Sequence, residues 1–236
     1  MPSENYTPSQ NEISTSSNSN NSPNNESLEK FTNPQKPAQK IALLLSTRNH
    51  HKLQEIAQIL GPTFDLWDLS SIPNPPIISE TGHTFLENAT LKALTVSKIW
   101  QGWVIADDSG LVVDAINGQP GVHSARFAGE NATDQQNCDL LLKRLSAFSQ
   151  RSARFICVIA LAKQGKIYES FEGILEGKIA LNPKGNSGFG YDPLFIPSGH
   201  LLTLAEMSQD SKNLISHRRL ALEKLKRWPG FSTHQS

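Results

Sequence analysis

The 236-residue chain has few cysteines. It has two, Cys138 and Cys157, and neither stands in a C-x-x-C spacing. Disulfide frameworks and structural zinc sites need several cysteines at short spacings, so neither underlies this fold. Cys157 lies in the apolar run ARFICVIALA and Cys138 in a segment with a helical pattern. We therefore expect two reduced thiols and a cytoplasmic location.

The chain also lacks long apolar runs and an excess of charge of either sign. No apolar run approaches the ~18 residues that a membrane-spanning helix requires. The 22 basic and 22 acidic side chains cancel to a formal net charge of zero. Such a chain has no overall field that attracts nucleic acid or an anionic membrane. We expect neither as a partner, and any anion site must come from local clustering of cations.

Residues 1–39 differ in composition from the rest. The first 30 residues contain eight serines and seven asparagines with almost no apolar side chains. Such a segment buries too little surface to offset the entropy lost on ordering. It has no apolar core of a secretory signal, and its four glutamates without arginine argue against a transit peptide. We interpret residues 1–39 as a disordered tail and residues 40–230 as one folded domain.

The folded part alternates strand and helix patterns. KIALLLST and FDLWDLS predict strands, and KLQEIAQIL predicts a helix with Leu53, Ile56, Ala57 and Leu60 on one face. A long helix follows with a stripe at spacings of three and four: Phe85, Ala89, Lys92, Ala93, Val96 and Trp100. WVIADD and SGLVVDAI predict two strand pieces, and two further runs around a Gln-Gly turn predict a hairpin. The order favours an α/β fold with a mixed sheet.

Two polar stretches have both a structural and a functional interpretation. STRNHHK separates the first strand from a helix start, where free N–H groups favour an anion, although Thr and Asn are also ordinary helix caps. The adjacent carboxylates Asp107 and Asp108 follow an apolar run, so they lie at a strand end either as turn residues or as ligands of a cation. Thr84 and Glu87 form a predicted capping box, which leaves Glu80 as a further candidate ligand.

Two stretches near the C-terminus suggest recognition of a nucleotide. In SGFGYDPLF the glycines allow close backbone approach, and Phe189 and Tyr191 offer aromatic faces for stacking on a base. In SKNLISHRRLALEKL a helical stripe holds Lys212, Ser216 and Arg219, which is typical of a solvated face. His217 and the two arginines that follow it are better suited to recognise a phosphate or a carbonyl. Together with the other stretches, they indicate an enzyme that acts on a nucleoside triphosphate.

Five blocks of the sequence resemble the inosine/xanthosine triphosphate pyrophosphatases. They are STRNHHKLQEI, SETGHTFLENATLKA, IADDSGLVVDAINGQPGVHSARFAGENATD, GFGYDPLF and TLAEMSQDSKNLISHRRLALEKL. The resemblance extends from about Lys40 to Trp228. It implies an elongated mixed β-sheet with flanking helices, two lobes around a nucleotide-binding cleft, and a homodimer. It also implies hydrolysis of dITP, ITP and XTP to the monophosphate and pyrophosphate.

The resemblance assigns roles to individual residues. Asp108 would activate the water, and Glu80 and Asp108 would bind Mg²⁺. The substrate-binding residues would be Thr47, Arg48, Asn49, His50, His51, Lys52, Ser109, Phe189, Gly190, Tyr191, Asp192, Lys212, His217 and Arg218. The water would attack the α-phosphorus, Lys52 would stabilise the departing oxygens, and a donor such as Arg218 would read the 6-oxo group of the base.

Two other interpretations stay open at this point. A nucleotide pyrophosphatase of the Maf type would share the chemistry but prefer other bases, and its S-x-S-P-R-R start is absent. A non-catalytic nucleotide-binding regulator is the second. A mere binder has no need of a carboxylate that activates water, so Glu80, Asp107 and Asp108 argue against it.

Overall fold

The structure, a computed structural model, describes residues 40–233. The predicted tail over residues 1–39 lies outside the described residues and stays a prediction. Among residues 40–233, no helix is both long and apolar enough to cross a membrane.

A six-stranded mixed sheet forms the centre of the fold. Its strands are β1 Ile41–Leu45, β2 Phe64–Asp68, β3 Trp103–Val113, β4 Ser152–Lys163, β5 Lys166–Ile179 and β6 Phe195–Pro197. The order across the sheet is β2-β1-β3-β4-β5-β6. β1 pairs in parallel with β2 and β3, while the remaining neighbours are antiparallel. The predicted hairpin is β4 and β5, joined at Gln164 and Gly165.

Helices flank this sheet on both faces. They are α1 His50–Leu60, α2 Phe85–Ser97, α3 Asp134–Arg144, α4 Gln209–Ile215, α5 His217–Lys226 and α6 Gly230–Thr233. The capping box of α2 at Thr84 and Glu87 is confirmed. In α1 the predicted apolar face is wrong at Ala57, which is exposed, whereas Ile59 is buried. The predicted α/β fold is confirmed, and the elongated two-lobed arrangement stays a prediction.

The strand at the two aspartates is not interrupted. The sequence predicted two pieces that meet at the carboxylates, but β3 is one eleven-residue strand. Asp107 and Asp108 pair with Ile159 and Val158 in the middle of β4. The prediction that they lie at a strand end or in a turn is therefore wrong. The ladder to β4 holds this polar stretch extended because it continues without a break on both sides of the aspartates.

Alternation along the strands places different helices on the two faces of the sheet. Ile105 and Cys157 pack with Ala221 and Leu222 of α5, whereas Ala106 packs with the alanines of α2. Successive side chains of a strand point to opposite faces. Asp107 therefore faces α1 and α5, and Asp108 faces α2.

The C-terminal helix is divided in two. Ser216 has φ −64° and ψ 146°, which is extended, and its side chain accepts from the Arg219 N–H as the N-cap of α5. The predicted continuous stripe of Lys212, Ser216 and Arg219 is wrong because the chain turns at Ser216. The break aims Lys212 from α4 and Arg218 from α5 into the interior, where both are buried.

Gly173 of β5 allows α5 to approach the sheet closely. A Cβ at this position would collide with the carbonyl oxygen of His217 and lie 2.6 Å from the Ala221 nitrogen. Gly173 pairs with Cys157 in the adjacent strand, on the face that carries Asp107. The absent side chain thus brings the first turn of α5, with Arg218, against that aspartate.

We expect Gly173→Ala to destabilise the protein by about 1–3 kcal/mol, because an added methyl group forces α5 away from the sheet. Chemical denaturation measures the free energy of unfolding. The control is Glu172→Ala, an exposed neighbour on the same strand, for which we expect a change within ~0.5 kcal/mol. Equal effects of the two variants would contradict this close packing of α5.

Candidate active site

A cleft of about 400 Å³ collects the residues that the sequence singled out. Fourteen of the sixteen predicted site residues line it: Thr47, Arg48, Asn49, Lys52, Glu80, Asp108, Ser109, Phe189, Gly190, Tyr191, Asp192, Lys212, His217 and Arg218. His50 and His51 do not line it. The cleft thus joins segments that lie up to 172 positions apart in the chain (Ser46 to Arg218).

The loop before α1 is both a helix cap and part of the cleft wall. The Asn49 side chain accepts a 3.1 Å hydrogen bond from the Lys52 N–H, and Thr47 Oγ1 accepts from the Asn49 N–H at 3.2 Å. The Arg48 guanidinium donates to the carbonyls of Pro75 and Pro76. The loop is therefore tied to the segment that precedes Glu80.

Asp107 is the buried anchor of one face of the sheet. Its carboxylate forms ion pairs with Lys52 and with Arg218 Nε at 3.2 Å, and it accepts from the Cys157 thiol at 2.9 Å. Burial alone would raise the pKa of Asp107, but Lys52 and Arg218 bring it well below the ordinary value. Asp107 therefore stays ionised, and its side chain is fully enclosed.

Asp108 and Glu80 share one buried cation on the opposite face. Lys92 Nζ lies 2.7 Å from an oxygen of each, and the Asn88 amide donates to Asp108 at 3.3 Å. Burial raises the pKa of Asp108 even though Lys92 opposes it. For Glu80 the attraction of Lys92 overcomes burial and lowers the pKa. The pKa values of these two carboxylates are thus shifted in opposite directions although both share one ammonium.

Lys92 and Asn88 were not predicted as site residues. The sequence placed Lys92 on the apolar stripe of α2, and that position was the available signal. A lysine within a buried stripe needs a carboxylate partner because an unpaired buried charge is costly. The two acidic partners lie 12 and 16 positions away, so the pattern alone did not identify them.

The loop after β5 forms another wall of the cleft. The Phe189 ring stacks on His51 at 5.4 Å, and Lys212 Nζ lies 4.7 Å from the ring centroid. Asp192 accepts from the Phe189 N–H and pairs with Lys212 at 2.6 Å. The structure places His51 behind the predicted base platform rather than in the cleft.

Two further contacts fix the same loop to α3 and to the core. The Gly190 N–H donates to the Asp134 carboxylate at 2.6 Å, and the Cys138 thiol donates to the Gly190 carbonyl. Tyr191 is only 3% exposed, and its hydroxyl donates to the Ser124 carbonyl at 2.9 Å. The Tyr191 ring therefore packs in the core with Leu111 and Cys138, and Phe189 is the more accessible aromatic face.

The start of α5 brings a histidine and an arginine together at the cleft. Arg218 donates to Asp107, to Glu55 at 2.7 Å and to Ser109 at 3.0 Å. Glu55, which the sequence did not identify, is 3% exposed. His217 stacks on Phe155, and within residues 40–233 its Nδ1 has no hydrogen-bond partner. Burial and the Arg218 charge hold the pKa of His217 well below 6.5, so the ring is neutral.

The donor set fits a hard divalent cation that the substrate helps to hold. Within residues 40–233, no group of three or more His, Cys, Asp or Glu side chains could hold a metal ion. Mg²⁺ is commonly bound through one or two carboxylates together with substrate phosphates and water. Oxygens of Glu80 and Asp108 each lie 2.7 Å from one ammonium. They are therefore already gathered around one positive charge.

We expect Asp107→Asn to destabilise the protein by about 3–5 kcal/mol, because it leaves the buried Arg218 and the half-buried Lys52 without this anion. Denaturant unfolding measures the effect. Asp114→Asn is a matched control, since Asp114 pairs with Arg154 at 3.1 Å with both side chains about a third exposed. Surface pairs contribute ~0–1 kcal/mol. Similar losses in the two variants would contradict the anchoring role of Asp107.

Comparison with known proteins matches this chain to one family. A family model described as the Ham1 family matches residues 43–228. A protein of Oceanobacillus iheyensis named dITP/XTP pyrophosphatase is 44% identical over 191 residues, which cover 79% of this chain and 96% of that protein. A Bacillus subtilis protein of the same name is 46% identical over 185 residues, covering 77% and 93%.

A solved structure shares the fold as well as the sequence. The Ham1 protein of Staphylococcus aureus superposes with a TM-score of 0.73 at 37% identity, covering 83% of this chain and all of that one. The matched region contains every residue of the cleft. On the extent of these matches, this chain belongs to the Ham1 family.

Proposed function

We propose that the chain hydrolyses the non-standard purine nucleoside triphosphates dITP, ITP and XTP to the monophosphate and pyrophosphate, and so removes them from the nucleotide pool. The observation that carries the proposal is the cleft, where the carboxylates of Glu80 and Asp108, several cations and an aromatic face line one cavity. The relatives named dITP/XTP pyrophosphatase support it over most of their length.

Asp108 is the proposed catalytic base. Its carboxylate lies at the cleft, and its pKa is raised by burial. A general base works best when its pKa approaches the operating pH. The Asn88 amide and the Lys92 ammonium hold the two oxygens in place. Asp108 would accept the proton of a water that attacks the α-phosphorus, while Lys52 stabilises the oxygens of the departing pyrophosphate.

Glu80 and Asp108 are the proposed ligands of Mg²⁺. When bound, Mg²⁺ would neutralise charge on the phosphates and so stabilise the transition state. Lys92 bridges the two carboxylates. With a metal ion on these carboxylate oxygens, the Lys92 ammonium would become available to a phosphate oxygen. The other residues that the sequence assigned to the substrate keep those proposed roles where they line the cleft, which leaves out His50 and His51.

The base edge is proposed to be read by the start of α5. Arg218 has five N–H donors, and its three described hydrogen bonds use three of them. The remaining two suit the 6-oxo group of hypoxanthine or xanthine, which adenine lacks. Each buried donor left unpaired costs ~1–3 kcal/mol, which disfavours adenine. Phe189 supplies the stacking face.

Two finer points come from the resemblance and from the thiols. We propose a homodimer, as the resemblance implies. We propose a cytoplasmic location, because Cys138 and Cys157 are both buried free thiols and reducing compartments keep thiols in that state.

The direct test is release of pyrophosphate from dITP, ITP, XTP, ATP, GTP and dUTP, each with and without Mg²⁺. We expect fast release from the first three only, and only with Mg²⁺. Broad release or a preference for dUTP would favour a pyrophosphatase with another base preference. Binding without release would overturn the enzymatic proposal.

Asp108→Asn is the matched variant for this assay. Loss of a general base lowers the rate by about 10²–10⁴-fold, and we expect kcat for dITP to fall in that range. Asp114→Asn, just after β3 and outside the cleft, should keep the wild-type rate. Near-normal turnover in Asp108→Asn would remove this residue from the mechanism.

A further inference from the structure

The cations that line the cleft differ in how firmly they are held. Lys92 and Lys212 pair with carboxylates at 2.6–2.7 Å, and Arg218 and Lys52 both hold Asp107. Arg48 donates to two carbonyls at 3.3 Å, whereas Arg126 makes only longer ion pairs. Its guanidinium lies 3.7 Å from Glu80 and 3.6 Å from Glu130. Within residues 40–233 these ion pairs are its only described side-chain contacts with acceptors, and neither reaches hydrogen-bond length.

The backbone around Arg126 is rigid although its side chain is loosely held. Arg126 ends a 3-10 helix, Gly121–Arg126, that lies against β3. The buried Asn137 side chain of α3 donates to the Ala125 carbonyl at 3.2 Å and accepts from the Ala128 N–H at 2.9 Å. The chain is thus fixed from α3 on both sides of Arg126, at Ala125 and at Ala128. A fixed backbone that carries a guanidinium with free N–H donors is preorganised to bind a ligand.

The position of Arg126 indicates which part of a nucleotide it meets. It approaches Oε2 of Glu80, whereas Lys92 holds Oε1 together with Asp108. Lys92 thus contacts both Glu80 and the proposed base Asp108, whereas Arg126 contacts Glu80 from its other oxygen. At the predicted base platform, Phe189 contacts Lys212 and His51. A cation on the far side of Glu80 from Asp108 suits the phosphates beyond the α-phosphorus, which is the atom that the water would attack.

We propose that Arg126 binds the pyrophosphoryl end of the substrate and the pyrophosphate product. The inference rests on the proposed function and adds a residue to it. The planar guanidinium forms paired hydrogen bonds with phosphate oxygens, which a lysine cannot reproduce. Binding a phosphate would cost Arg126 little ion-pair energy. Its partners Glu80 and Glu130 are 29% and 84% exposed in their side chains, and solvent screens such pairs.

The test measures binding of inorganic pyrophosphate by titration calorimetry, in MgCl₂, to the full chain. The variants are Arg126→Ala and Arg126→Lys, and the control is Arg144→Ala, an exposed arginine at the end of α3 outside the cleft. We expect the Kd of pyrophosphate to rise at least about tenfold in Arg126→Ala, the loss of one charge-assisted hydrogen bond. Arg126→Lys should be intermediate, and Arg144→Ala unchanged.

Inosine monophosphate is the second probe in the same titration. Its Kd should stay within about twofold of wild type in both Arg126 variants, because the monophosphate lacks the pyrophosphoryl group. Unchanged pyrophosphate binding in Arg126→Ala would overturn the inference. Equal weakening of both probes would overturn it too, because Arg126 would then only support the cleft. Should Arg126→Ala fail to fold, Arg126→Lys alone decides by the same comparison.

Turnover of dITP separates the two proposals. A wild-type chain that hydrolyses dITP, with pyrophosphate binding unaffected by Arg126→Ala, sinks the inference and leaves the function standing. A wild-type chain that does not hydrolyse dITP, but loses pyrophosphate affinity in Arg126→Ala, overturns the function and supports the anion contact.

Discussion

The alternation of side chains along β3 is the constraint on which the site depends. Because Asp107 and Asp108 are adjacent in an unbroken strand, they must point to opposite faces of the sheet. Asp107 is enclosed by Lys52 and Arg218, and Asp108 reaches the cleft beside Lys92. One strand thus supplies both the buried anion that holds α1 and α5 and the carboxylate that is proposed to react.

Charge compensation links the fold to the chemistry. Asp107 keeps a depressed pKa because two cations surround it, whereas burial leaves Asp108 with a raised one. Two neighbouring residues of the same type thereby acquire different properties from their environments alone. The cations that neutralise these carboxylates line a cavity that would receive a polyanionic substrate. The same charges would therefore stabilise the free protein and bind the phosphates.

Local signals predicted much of this architecture, and long-range contacts supplied the rest. The cap at Asn49, the box at Thr84 and the β4–β5 hairpin were predictable because each depends on residues a few positions apart. The unbroken β3 was missed because polar residues in mid-strand look like a turn until β4 pairs with them. Lys92 and Glu55 were missed because their partners lie 12 to 163 positions away.

The central claim is that water attacks the α-phosphorus beside Asp108. Hydrolysis of ITP in ¹⁸O-labelled water tests it most directly, with the products separated and analysed by mass spectrometry. Attack at the α-phosphorus leaves the water oxygen on the phosphate of the monophosphate, so we expect one ¹⁸O atom in inosine monophosphate and none in pyrophosphate. Label in the pyrophosphate, or release of orthophosphate as the primary product, would contradict it.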